Sequence, residues 1–172
     1  LNTKLLFLDI DGVLNRHDRH ANGVCGLHPE CVRELNRILD AVPDLQLVII
    51  SAWRYYIHDG FMNHDGFVMM LQTHGVACYG RIHGYTRRDT RAWKSHNPTP
   101  EEIEEWNIYG IEERGEQIHE YIAALPEIVG QARFAIIDDL PLSWHCLFQT
   151  NKSVGLTPAI ADRVIEHFGE SQ

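Results

Sequence analysis

Leu5-Leu6-Phe7-Leu8-Asp9-Ile10-Asp11-Gly12-Val13-Leu14-Asn15 is the stretch that decides how the rest of the chain is read. Its apolar run has the length and flanks of a buried parallel strand, and it ends in paired carboxylates and a glycine that lets the backbone turn sharply. In an open α/β sheet that carboxyl edge is where ligands sit. Acids this close repel each other as anions, so the arrangement calls for a cation between them or a proton on one of them. Both outcomes point to chemistry rather than packing.

Working outward, apolar runs at 5–9, 45–51, 76–79, 134–138 and 146–150 read as strands, the first of them central. Helical spacing separates them. Pro29 opens a helix carrying Val32, Leu35, Ile38 and Leu39; Phe67, Met70 and Leu71 mark a second that ends at Gly75. Ile118, Tyr121, Ile122 and Leu125 mark a third before Pro126, and Pro158 opens a last one through Ile160, Val164, Ile165 and Phe168. Strands alternating with helices predict a doubly wound, Rossmann-like α/β fold with a mostly parallel five-stranded central sheet.

The chain has 172 residues, which suits one domain with a full core, and we expect a single domain over 1–172. Its 44% hydrophobic and 23% charged content is that of a water-soluble globular protein. No apolar run is long enough to span a bilayer and no leader precedes the first strand, so a cytoplasmic location is expected, with no membrane partner. The scattered Cys25, Cys31, Cys78 and Cys146 fit a reducing compartment. Cys25, His28 and Cys31 invite a zinc reading, but their spacing matches no compact zinc knuckle. A net charge of −9 disfavours wrapping around a nucleic-acid backbone through a broad basic face.

An excursion at about 80–113 breaks the rhythm. It holds Arg81, Arg87, Arg88, Arg91, Trp93, Lys94 and His96, then Asn97-Pro98-Thr99-Pro100 and an acidic patch. One reading is an exposed loop with a short helix near Pro100; the other is a lid or recognition insert whose cations, Arg91 and Lys94 among them, hold phosphate while Trp93 or Trp106 stacks on a base.

Four motifs in order resemble the haloacid-dehalogenase-like (HAD) superfamily of phosphatases and phosphotransferases. They are Asp9-Ile10-Asp11-Gly12, the strand Val48-Ile49-Ile50-Ser51, the basic Arg114 in Glu113-Arg114-Gly115-Glu116-Gln117-Ile118, and Ala135-Ile136-Ile137-Asp138-Asp139. Within it, Ser51-Ala52-Trp53-Arg54, the Asp138-Asp139 pair and Gly155-Leu156-Thr157 are similar to the HAD domain of Swiss Army Knife RNA-repair proteins, and the chain also resembles the phosphatase half of polynucleotide kinase-phosphatases.

The resemblance implies a magnesium-dependent phosphatase. Asp9 would be the nucleophile that forms an aspartyl-phosphate, and Asp11 the acid that protonates the leaving oxygen and then the base for water. Ser51 would hydrogen-bond a phosphoryl oxygen and Arg114 would neutralise its charge, with Arg91 and Lys94 as rival cations for that place. Lysine is commoner there, so arginine is a departure, although guanidinium binds phosphate bidentately. Mg2+ would take Asp9, the backbone carbonyl of Asp11 and one acid of the last pair, with Asp139 the direct ligand and Asp138 behind it. Read without the resemblance, that pair is a capped turn into Leu140-Pro141.

Arg54, just past Ser51 at the carboxyl end of a strand, reads equally as a phosphate contact or a surface residue, while Arg16 and His17 in the loop after the first strand are candidate substrate contacts for which a polar, solvated loop is the simpler account. Trp53 and Trp144 either wall the pocket or pack under the sheet edge. The intervals leave no room for a large cap domain, and an open pocket suits the phosphorylated end of a large molecule. A nucleotide or polynucleotide terminal phosphate is therefore expected ahead of a small metabolite or phosphoprotein. A catalytically silent HAD-fold binding module would have lost a motif acid, and a response-regulator receiver would place its aspartate on another strand.

Overall fold

β1 is Lys4–Leu8, and its alternation explains its position. Leu5 and Phe7 pack into one apolar cluster while Leu6 and Leu8 pack into another, all of them buried, so the strand needs apolar residues on both faces. The computed structural model describes residues 3–16, 26–89, 99–125 and 133–169. In it β2 (Leu45–Ile49), β3 (Ile82–Tyr85), β4 (Arg133–Asp138) and β5 (Leu147–Gln149) join β1 in one parallel sheet of order β3-β2-β1-β4-β5. The first strand is central, as the sequence predicts. It pairs with β2 on one side and β4 on the other, so the strand order reverses at β1 and opens a crevice at its carboxyl end.

Helices α1 (Pro29–Ala41), α3 (His64–Thr73) and α5 (Pro158–Gly169) supply apolar residues to one face, where Cys31, Leu35, Ile38, Phe67, Leu71, Val164 and Phe168 are buried against Leu6, Leu8 and Ile49. Arg37 ties α1 to α5 through Asp162 at 2.6 Å and the carbonyl of Pro158 at 2.9 Å. The other face is covered by α4 (Pro100–Ala123), whose Ile111, Ile118, Tyr121 and Ile122 meet Phe7, Val48 and Ile136. A short 3-10 turn, Ala52–Arg54, and the single-turn α2 (Tyr55–His58) follow β2.

Two elements differ from the sequence reading. The third strand is Ile82–Tyr85, not 76–79. Val76 and Cys78 are buried, which accounts for the apolar signal, but they lie in a connection flanked by Gly75 and Gly80, whose φ of +87° and +66° turns the chain before it reaches the sheet. The true strand is an edge, and it is bare where the helix approaches: a Cβ on Gly84 would stand 2.3 Å from the Tyr121 hydroxyl oxygen. Second, the short helix near Pro100 and the helix around Ile118 are one continuous α4 of 24 residues. Proline opens it and the acidic run of residues 101–105 occupies its first turns, where negative charge complements the helix dipole. Gly110 and Gly115 each cost it about 1 kcal/mol against alanine, and a Cβ at Gly115 would stand 3.7 Å from the indole nitrogen of Trp144, an ordinary contact.

Among the described residues no separate cap domain stands over the sheet, and no helix is long and apolar enough to cross a membrane. Cys31, Cys78 and Cys146 are buried free thiols, and Cys31 lies against the carbonyl of Val154, which is a packing role; Cys25 falls outside the described residues, as do His17, Arg91, Trp93, Lys94 and His96.

Candidate active site

Asp9 continues β1 by donating its N–H to Ile137 O at 3.0 Å, and Ile50 N–H reaches Leu8 O at 3.1 Å, so Asp9, Ser51 and the Asp138-Asp139 pair leave the sheet from three neighbouring strand ends. Gly12 makes the turn with φ +76°, and a Cβ there would lie 2.8 Å from Asp139 Cγ. The missing side chain lets Asp139 sit directly on the loop. Thr150 adds a hydrogen bond of 2.8 Å to the Gly12 carbonyl.

The carboxylates of Asp9, Asp138 and Asp139 each offer an oxygen within 4.8 Å of the others, the one such cluster of metal-ligating side chains among the described residues. Asp9 and Asp138 are buried and Asp139 is half-buried. Arg114, delivered by the middle of α4, sets Nη1 2.7 Å from Asp138 Oδ2 and 3.5 Å from Asp9 Oδ1. Asp138 Oδ1 accepts from Leu140 N–H at 2.9 Å, so the capped turn and the cation contact both exist and occupy different oxygens of one side chain. Asp139, half-buried, lies against the Gly12 turn on the loop side of the pair.

Burial pushes the Asp9 carboxyl up to about 7; Arg114 opposes the rise, and Asp138 and Asp11 add to it. Burial also raises Asp138, again against the pull of Arg114. For Arg114 burial acts against the charge, but Asp9 and Asp138 outweigh it and hold the guanidinium more firmly protonated than usual. Three carboxylates thus cluster where one guanidinium reaches two of them, and the oxygens are hard donors. A divalent cation such as Mg2+ fits that donor set and its charge deficit.

The Asp11 carboxylate lies outside the acid cluster. Its Oδ1 accepts from Asn15 Nδ2 at 2.6 Å and from the Trp53 indole N–H at 3.1 Å, while Asn15 Oδ1 accepts from Gly12 N–H at 2.9 Å. The atom of Asp11 that the sequence reading assigns to a metal is its backbone carbonyl, which these side-chain contacts leave aside. Sequence reasoning gave Asn15 no role; a buried amide just past an Asp-Gly turn was the available signal. Trp53 does border the site, and its N–H, not only its ring, is what matters there. Ser51 is buried at the end of β2 and caps the 3-10 turn, its Oγ accepting from Trp53 N–H at 3.3 Å.

Arg54 and Arg16 are both engaged within the protein. Arg54 is 1% exposed and points inward, donating to the carbonyls of Ile50 and Arg87, to Asp89 and to Gln117 of α4, so it braces the sheet edge instead of meeting substrate. Arg16 is held by Glu30 and the carbonyl of Val154, each at 2.9 Å, and fastens the loop after β1 to α1. The start of the basic excursion is likewise engaged within the protein: Arg87 pairs with Glu113 and with Glu120, the latter at 2.6 Å, and Arg88 pairs with Asp59. These two cations do not form an open phosphate track, because α4 and the residue that follows α2 bring acids to them. Gly155, singled out by sequence, has φ +74° and lies where a Cβ would come 2.8 Å from the Val13 carbonyl; it lets the chain cross the β1 loop.

The family model for the HAD domain in Swiss Army Knife RNA repair proteins matches residues 5–161. The chain belongs to this family. The match runs from β1 into α5 and so includes every strand and each acid of the site. No curated protein and no solved structure matches the chain. The HAD assignment therefore stands on the family match, and the all-parallel sheet with its switch point at β1 agrees with it.

Proposed function

We propose that this HAD domain is a magnesium-dependent phosphoric monoester hydrolase that works through an aspartyl-phosphate on Asp9, and that its substrate is a terminal phosphate of a nucleotide or polynucleotide. The observation that carries the reading is Arg114 set between two buried carboxylates, with a further acid, Asp11, held apart from them by Asn15 and Trp53. Acids in such different surroundings are suited to different tasks.

An Asp9 oxygen attacks phosphorus as the ester oxygen leaves with a proton from Asp11, giving free alcohol and an acyl phosphate. Asp11, now ionised, takes a proton from water; the water oxygen attacks the same phosphorus, and the Asp9–phosphate bond breaks to release inorganic phosphate. Arg114 and the Ser51 hydroxyl stabilise charge on the transferring oxygens. Mg2+ held by Asp9, Asp139 and the Asp11 carbonyl, with Asp138 behind them, would add positive charge at the phosphoryl group. Arg114 also favours the ionised form of Asp9, without which the nucleophile would carry its proton at neutral pH.

The substrate class is supported by the absence of a separate cap domain among the described residues and by the RNA-repair setting in the family's description. The test is hydrolysis of an aryl phosphate with magnesium, followed by 3′- and 5′-phosphorylated oligonucleotides, mononucleotides and sugar phosphates. Turnover should stop with chelator, and acid-quenched protein should carry phosphate on the peptide containing Asp9. Full activity in chelator, or phosphate on no peptide, would overturn the mechanism; preference for a sugar phosphate would overturn the substrate class.

A further inference from the structure

We propose that the pocket formed by Ala52, Trp53, Tyr55, Tyr56, Asp59 and Phe61 is the subsite for one nucleobase-sized aromatic ring on the leaving-group side of the substrate, an inference that rests on the phosphatase reading above. The pocket has a volume of about 280 Å³. That is just under the ~300 Å³ at which pockets for whole drug-sized ligands begin, so it has room for one ring system and not for a complete nucleotide.

Its walls are aromatic and wet. Phe61 is 79% exposed and Tyr56 49%, side chains that gain from covering by another flat apolar surface. Among the described residues, the other large exposed apolar side chains, Met69, Tyr79, Ile108 and Val154, do not line this pocket. Location gives the pocket its occupant. Trp53 lines it and also donates its indole N–H to Asp11 at 3.1 Å, so the pocket begins one side chain away from the acid that protonates the leaving oxygen. A group departing toward Asp11 has this pocket next to it.

The charge at the rim fits a base better than a cation. Asp59, the one acid lining the pocket, is paired with Arg88, and that guanidinium also lies 4.9 Å from the centre of the Tyr55 ring. The rim therefore presents a neutralised carboxylate beside π-faces. Such a surface stacks on any base without reading which one it is. Arg88, which the sequence suggested as a backbone clamp, contributes here by removing the repulsion Asp59 would exert on a phosphorylated ligand.

The test uses the full chain with magnesium, and the exposed side chains Tyr56 and Phe61, whose truncation leaves the core intact. Wild type and Tyr56→Ala/Phe61→Ala are compared on glycerol phosphate, a nucleoside monophosphate and a phosphorylated oligonucleotide. Loss of a stacked base should reduce the preference for nucleotide over glycerol phosphate, measured as the ratio of kcat/KM values, by about 5- to 100-fold. A loss on the mononucleotide and oligonucleotide alike assigns the ring to the terminal nucleotide, whereas an unchanged ratio overturns the subsite. Binding is read independently through quenching of 2-aminopurine nucleoside monophosphate fluorescence by Asp9→Asn protein, with and without the two alanines. Quenching lost with the alanines supports the subsite even if no phosphate is released, in which case the phosphatase reading alone fails. Turnover with no preference for a ring, or quenching that survives both alanines, rejects the subsite while leaving the phosphatase reading in place.

Discussion

Replacing Asp9 by asparagine should make the protein more stable at alkaline pH while abolishing turnover, and the structure sets the size of the gain. Asp9 is 4% exposed, and its carboxyl is pushed from the ordinary 3.8 to about 7, chiefly by burial. In the cation-free protein the folded form thus keeps a proton that the unfolded chain releases above about pH 4. Folding then takes up a proton throughout that interval, so stability falls as pH rises, by about 1.4 kcal/mol per unit, and the loss is complete at roughly 4 kcal/mol above pH 7. Asparagine has nothing to ionise, and Arg114 keeps its contact of 2.7 Å with Asp138. In urea denaturation with chelator, Asp9→Asn should exceed wild type by a small margin at pH 5 and by several kcal/mol at pH 8. Added magnesium should close part of the gap at pH 8, since the wild type binds it better. A variant no more stable than wild type at pH 8, or a gap equal at the two pH values, would refute the assignment of Asp9 as a buried, poorly compensated acid.

Asp11→Asn should slow hydrolysis of alkyl phosphates far more than that of aryl phosphates, whose leaving groups need no proton; equal losses in kcat on both would exclude Asp11 as the acid. Arg114→Ala should lower kcat by about 10²- to 10³-fold, with Arg114→Lys recovering part of it, as a single-turnover assay would show. Gly12→Ala forces a side chain into positive φ and to within 2.8 Å of Asp139 Cγ; thermal denaturation should register a loss of about 1–2 kcal/mol, and magnesium affinity measured by calorimetry should drop.

The part of this molecule legible in its sequence is the part built from local pattern. β1, its turn and both acid pairs announce themselves because a strand buried on two faces must be continuously apolar, which makes any acid at its end conspicuous. Ile82-His83-Gly84-Tyr85 gives no such signal, since an edge strand needs little apolar surface and its glycine answers to a helix far along the chain. Arg54 shows the other limit: a guanidinium just past Ser51 has the right address for phosphate, and only the arrival of Asp89 and Gln117 turns it inward. Arg87 is the same case, since Glu113 and Glu120 lie on a helix whose distance from residue 87 in space is not written in either segment. Arg114 could be named from its place in the ordered motifs, but its position between Asp9 and Asp138 depends on how α4 lies on the sheet.

That dependence gives Gly84 a reach well beyond its own strand. The Tyr121 hydroxyl occupies the place a side chain at 84 would need, and it also meets His83 Nδ1 at 2.8 Å. Arg114 lies seven residues earlier on the same rigid rod, about 10 Å along its axis. A methyl group at 84 would act at one end of a lever whose other end carries the guanidinium. A side chain at this edge glycine would meet the ring end of Tyr121 first, and through α4 the rim of the sheet shares one element with the guanidinium that faces Asp9 and Asp138.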